Sequence, residues 1–167
     1  MSVRHLTERF FGSLRARQPD AADEAWVGLH LTPEELAVWK TLGRADAAES
    51  LAVARRTVAA LGPDTDSTWI ACALLHDVGK TDSHFGTFGR VFATVVAGAA
   101  SHGRARHFNN RIGTYIAHDE IGEARLKAAG ARPEAAAWAG AHHRPERWSS
   151  TGIPPEVCKV LAVADGE

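Results

Sequence analysis

Cysteine is nearly absent from this chain. Only Cys72 and Cys158 occur in 167 residues, far apart and without Cys-x-x-Cys spacing. That excludes a disulfide framework and suits a reducing compartment. An excess of either charge is also lacking. The formal net charge is −1, so no bulk field points to nucleic acid, and no specific nucleic-acid binding is expected. Long hydrophobic runs are missing as well. The longest, Val91 to Ala100, is too short to span a bilayer. The start Met1-Ser2-Val3-Arg4-His5 lacks the apolar core of a signal peptide. A cytoplasmic location with no transmembrane segment is the expectation. Gly-x-Ser-x-Gly and P-loop motifs do not occur, which removes the common Ser nucleophile and Walker-type nucleotide sites. There is no β-alternation, internal repeat or low-complexity tract.

Helical patterning fills the space these absences leave. Residues 3–17 carry Leu6, Phe10, Phe11 and Leu14 at helical spacing, and Gln18-Pro19-Asp20 breaks them. Thr32-Pro33-Glu34-Glu35 is a helix start, with a hydroxyl cap, proline in the first turn and Glu at the capping-box position. Ala47, Leu51, Ala54, Val58 and Leu61 share one face of a helix over 46–61, which Gly62-Pro63 ends. Asp66 or Ser67 caps the next helix. Further helices are expected at 87–100, 110–117, 119–129, 133–143 and 154–164, with a loop over 101–110. Arg104, Arg106, His107 and Arg111 cluster in and just beyond that loop and read as a solvated basic patch. The expected fold class is all-α, a single-domain helical bundle with N-terminal helices over 1–45 and a core over 46–167.

One helix ends unusually. Ile70-Ala71-Cys72-Ala73-Leu74-Leu75 runs straight into His76-Asp77-Val78-Gly79-Lys80. An imidazole and a carboxylate on one turn offer nitrogen and oxygen to a metal from two directions. Gly79 would let the chain turn away tightly, and Lys80 would place a point charge where an anionic substrate could lie. A buried His-Asp hydrogen bond would leave the same trace. Cys72, one turn before His76, reads as a small buried filler.

The rest of the chain adds weight to the metal reading. His118 opens a helix in Ala117-His118-Asp119-Glu120-Ile121-Gly122, His142-His143 ends one, and Asp165 closes the apolar run Val160 to Ala164. Together with His76-Asp77-Val78-Gly79-Lys80, this order resembles the HD-domain metallohydrolase superfamily from about Asp46 to the C-terminus. One position departs from the pattern. Glu49-Ser50-Leu51-Ala52-Val53-Ala54 resembles the family segment His-Ser-Leu-x-Val-Ala, with Glu49 where a His is expected. A carboxylate there would shift preference toward harder ions. His30 and His84 do not fill that position by spacing, and His5, His102 and His107 read as surface residues.

The resemblance implies an HD-like helical bundle holding one or two divalent ions (Mn, Fe, Mg or Zn). Glu49, His76, Asp77, His118, His142 and Asp165 are the metal ligands it implies, with Asp77 bridging. Asp77 and Lys80 are the catalytic candidates; Lys80 and His143 are the candidates for substrate contact. The implied activity is metal-dependent hydrolysis of a nucleotide or other small phosphate mono- or diester through a metal-bound hydroxide. The alternatives are an HD-fold di-iron oxygenase and a degenerate, non-catalytic signalling module. The stretch after His142-His143 echoes the branch that cleaves cyclic di-GMP. Two residues are inserted and Ile153 replaces a Tyr, so that activity is not assigned.

Overall fold

The structure is a computed structural model and describes residues 18–83 and 118–166. The helices expected at 3–17, 87–100 and 110–117, the 101–110 loop and its basic cluster lie outside the described residues, as do His5, His84, His102 and His107. Among the described residues every regular element is helical, as the patterning predicts. No described helix is long and apolar enough to cross a membrane.

Helix α1 spans Ala21–His30, a segment to which the apolar spacing assigns no helix. Its start is a reciprocal cap: Asp20 accepts from the Asp23 amide at 2.9 Å, and Asp23 accepts from the Asp20 amide at 3.1 Å. Asp in place of Glu or Gln at the third position hides this box from the usual pattern. Helix α2, Pro33–Trp39, opens on the expected box. Thr32 Oγ1 accepts from the Glu35 amide at 3.2 Å, and Glu35 accepts from the Thr32 amide at 3.0 Å. Helix α3 runs Arg44–Leu61, beginning two residues before the expected start. Gly62 then takes a φ of 102°, which a side chain would resist. Asp66 caps α4, Ser67–Leu75, by accepting from the Thr68 amide at 2.7 Å.

Helix α4 forms the centre. Ile70 to Leu75 are all buried, so it is apolar on every side, and α3, α6 and α7 pack around it. Leu74 and Leu75 alone contribute about 1.5–3 kcal/mol each by leaving water. A 3-10 helix, Val78–Ser83, follows. Helices α5 (His118–Ala129), α6 (Pro133–Ala141) and α7 (Pro155–Asp165) complete the described bundle, with a second 3-10 helix at Pro145–Ser150.

One buried ion pair joins the early helices to the late ones. Glu35 is fully buried, and its carboxylate accepts from Arg132 Nε at 3.0 Å, Arg132 Nη2 at 2.6 Å and the Arg132 amide at 2.9 Å. Arg132 also donates to the His30 carbonyl. Burial alone would raise the Glu35 pKa, but the Arg132 hydrogen bonds outweigh it and hold the carboxyl below its ordinary value.

Candidate metal centre

His76 and Asp77 sit where α4 ends. His76 is the C-cap residue, and its Nδ1 lies 2.9 Å from the Ala73 carbonyl. That contact assigns a proton to Nδ1 and turns Nε2 inward. His142 repeats the arrangement at the end of α6, with Nδ1 3.0 Å from the Ala139 carbonyl. Two helix C-termini therefore aim two imidazoles at one point by the same backbone device.

Asp77 lies between them, and its two oxygens face different partners. Oδ2 is 3.3 Å from His76 Nε2 and is paired with Lys80. Oδ1 is 3.4 Å from His118 Nε2 and 3.8 Å from His142 Nε2. Asp165, at the end of α7, brings Oδ1 to 3.4 Å from His76 Nε2. His76, Asp77, His118, His142 and Asp165 thus meet in one buried cluster, although up to 89 residues separate them in the chain (165 − 76).

Glycine makes this convergence possible. A Cβ on Gly79 would lie 1.9 Å from the His118 carbonyl oxygen and 2.7 Å from the Gly122 amide nitrogen. The sequence suggested that Gly79 serves a tight turn. Its φ is not positive, and its role is close approach: it lets the first turn of α5 press against Val78–Ser83. Gly122 supplies the other side of the crossing, where a Cβ would lie 3.2 Å from the Gly79 nitrogen.

His143 lies close to both His118 and His142. Adjacent helical side chains diverge by about 100°, but α6 stops at Ala141, two residues before the expected end. The His142 and His143 ring centroids are 3.9 Å apart, and His118 and His143 are 5.4 Å apart. One ligating atom from each of His118, His142 and His143 lies within 4.8 Å of the others. Arg144 ties this turn to α5 by pairing with Asp119 and with Glu120, the latter at 2.9 Å. The sequence showed Asp119 and Glu120 only as helix-start acids; their partner 24 or 25 residues away left no local signal.

Glu49 has a different setting. It is part-exposed, and its Oε1 accepts from Arg56 Nη2 at 3.0 Å. Arg56 Nε in turn donates to the Ala164 carbonyl at 2.6 Å. Cys72 is buried and desolvation pushes its thiol well up, so it is an inert filler.

The electrostatics divide the cluster. Burial would lower the His76 pKa, but the Asp77 and Asp165 carboxylates outweigh it and raise it well above normal. Burial would raise Asp77, but Lys80 and His76 hold it well below the usual carboxylate range. His118 is lowered by burial, with Lys80 adding to the effect against the Asp77 hydrogen bond. His142 is lowered well below normal by burial and by its neighbours His143 and His76. The His118 and His142 imidazoles are therefore biased toward the neutral form that ligates.

The buried His76 Nε2, His142 Nε2 and Asp77 Oδ1 make no well-formed hydrogen bond, although His76 Nε2 faces two carboxylates at 3.3 and 3.4 Å and Asp77 Oδ1 faces His118 at 3.4 Å. Leaving such atoms buried and unsatisfied costs about 1–3 kcal/mol each. Imidazole nitrogens and carboxylate oxygens converging on one buried point are the donor set of a divalent transition ion, so the residues fit a metal.

One comparison with known proteins identifies a family. Searches of curated proteins and of solved structures found no match. The sequence model of the HD domain matches residues 41–166, which contain every residue of the cluster. HD domains typically bind divalent metals and are generally metal-dependent hydrolases, although some members are non-catalytic. With about three-quarters of its length matched, the chain belongs to the HD domain family.

Proposed function

We propose that this protein is a metal-dependent phosphohydrolase acting on a nucleotide or another small phosphate mono- or diester. The observation that carries this reading is Asp77, whose two oxygens face separate imidazole sets while the buried Nε2 atoms of His76 and His142 point at them without a well-formed hydrogen bond. His76, Asp77 and Asp165 would hold one ion. His118 and His142, with His143 within ligating reach, would hold a second through the other Asp77 oxygen. A bound divalent ion supplies an acidified water and a Lewis acid for a phosphoryl oxygen. The protein's own residues do the rest. Lys80 is held against Asp77 with a sixth of its side chain exposed, so its ammonium can offset charge on the phosphate. His143 is exposed where a substrate would arrive, consistent with a contact to it as well.

A second reading, a non-catalytic HD module, draws on one observation: Glu49, at the family's first His position, is engaged by Arg56. Elemental analysis of protein purified without chelator or metal-affinity resin, followed by hydrolysis assays on nucleotides and simple phosphoesters, separates the readings. One or two ions per chain and metal-dependent phosphate release are expected. Metal-free, folded, inactive protein would favour the module. Iron with a near-ultraviolet chromophore and no phosphate release would favour the di-iron oxygenase.

A further inference from the structure

We infer that Glu49 is not a metal ligand in this chain, and that it instead holds Arg56 as a positioning residue for Asp165. This rests on reading His76, Asp77 and Asp165 as a metal set. Three observations lead to it. Glu49 and Arg56 lie two turns apart on α3 and meet at 3.0 Å. Arg56 Nε donates at 2.6 Å to the carbonyl of Ala164, the residue before Asp165. Asp165 is buried and directs Oδ1 to His76 Nε2 at 3.4 Å.

The physical need for such a tether lies in the end of α7. The last carbonyls of a helix have no partner within it, and they carry the negative end of its dipole. Gly166, in the left-handed conformation, returns its amide to the Ala162 and Val163 carbonyls. The Ala164 carbonyl is served by Arg56 instead. A cation at that point satisfies the acceptor, offsets the dipole and fixes the peptide unit from which the Asp165 carboxylate projects. In the family pattern a His at position 49 would contribute a nitrogen; a Glu that pairs with Arg56 contributes a fixed end of α7. The chain thus replaces one ligand with tighter placement of another.

The test uses the whole protein, stripped with chelator and titrated with Mn²⁺ by calorimetry, beside backbone hydrogen exchange at Gly166 in the metal-free state. Glu49→Gln keeps an oxygen to accept from Arg56 and removes the charge. It should change Mn²⁺ affinity by no more than about threefold, as expected for a part-exposed ion pair. Arg56→Ala should weaken affinity about tenfold, the lower range for losing a partner that orients a ligand, and should speed exchange at Gly166. Arg56→Lys, still able to donate, should recover part of both. Loss of more than about 100-fold in Glu49→Gln would overturn the inference and make Glu49 a ligand. Unchanged exchange and affinity in Arg56→Ala would overturn it equally. A wild-type protein that takes up no metal would sink the metal-centre reading by itself; exchange at Gly166 would then decide whether Arg56 tethers α7.

Discussion

Two clusters of charge are buried in this molecule, and they are finished to different degrees. Around Glu35, both carboxylate oxygens are used, by Thr32 and by three donors of Arg132. Around Asp77, the Nε2 atoms of His76 and His142 and one Asp77 oxygen make no well-formed hydrogen bond. Both clusters cost desolvation. The first recovers it within the protein and joins α2 to the α5–α6 connection. The second does not, and its geometry makes sense only with something further bound. A buried polar group with all its bonds made reads as fold; one with lone pairs aimed at a common point reads as function.

The largest expected effect breaks the second cluster at its shared member. Asp77→Ala should remove metal from both sets and lower phosphoester hydrolysis by at least about 100-fold. The fold should survive, because the apolar core packed around α4 does not include Asp77, although the loss of its pairing with Lys80 and His76 should lower stability. Metal analysis with far-ultraviolet dichroism checks both halves. Unchanged metal stoichiometry would contradict the bridging role.

The opposite outcome is expected at the first cluster. Glu35→Gln should cost about 3 kcal/mol of stability, the low end for breaking a buried pair, since Arg132 keeps a fifth of its side chain in water. Metal affinity of the folded protein should not change. The pH dependence has a definite sign. The folded Glu35 pKa lies below its ordinary value of 4.5, so the pair's contribution is fully present above that pH and is lost as pH falls toward the folded value. The gap between wild type and variant in urea midpoints should therefore narrow below about pH 4.5. A gap that widens in acid would refute the assignment.

Much of the second cluster was legible in the sequence, and little of the first. His76-Asp77 stands out because an apolar run seldom ends on two metal-capable groups, and Thr32-Pro33-Glu34-Glu35 announces α2 through local capping chemistry. Helix α1 was missed because its reciprocal cap uses Asp23 in place of the usual Glu or Gln. The second role of Glu35 depends on Arg132, 97 residues away, and no periodicity reports such a pairing. The same holds for Arg144 with Asp119 and for Arg56 with the Ala164 carbonyl. Residue type and local spacing reveal which groups could do chemistry. Packing decides which of them are already satisfied.

Gly79 tests how the second cluster is assembled. Gly79→Ala sets a Cβ 1.9 Å from the His118 carbonyl, a backbone atom that can yield only if α5 shifts. About 1–3 kcal/mol of destabilisation is expected, as for overpacking elsewhere. His118 should move away from Asp77. Titration should then show the second ion weakened while the first, held by His76 and Asp165, is retained. Equal weakening of both ions would mean that the crossing supports the whole pocket rather than the His118 side.

The smallest expected effect is the interaction between the two clusters. A ligand that binds only the native state adds RT ln(1 + [L]/Kd), about 2.7 kcal/mol at a hundredfold excess over Kd. Mn²⁺ should stabilise wild type by this increment and Asp77→Ala by none. Glu35→Gln should gain the same increment as wild type, because Glu35 shares no hydrogen-bond partner with Asp77. Independent sites add to within about 0.3–0.5 kcal/mol. Denaturant unfolding with and without Mn²⁺ in both proteins measures the difference directly. A Glu35→Gln protein that gains much less would show that the Arg132 tether helps shape the pocket through α6, and that the two buried clusters form one unit.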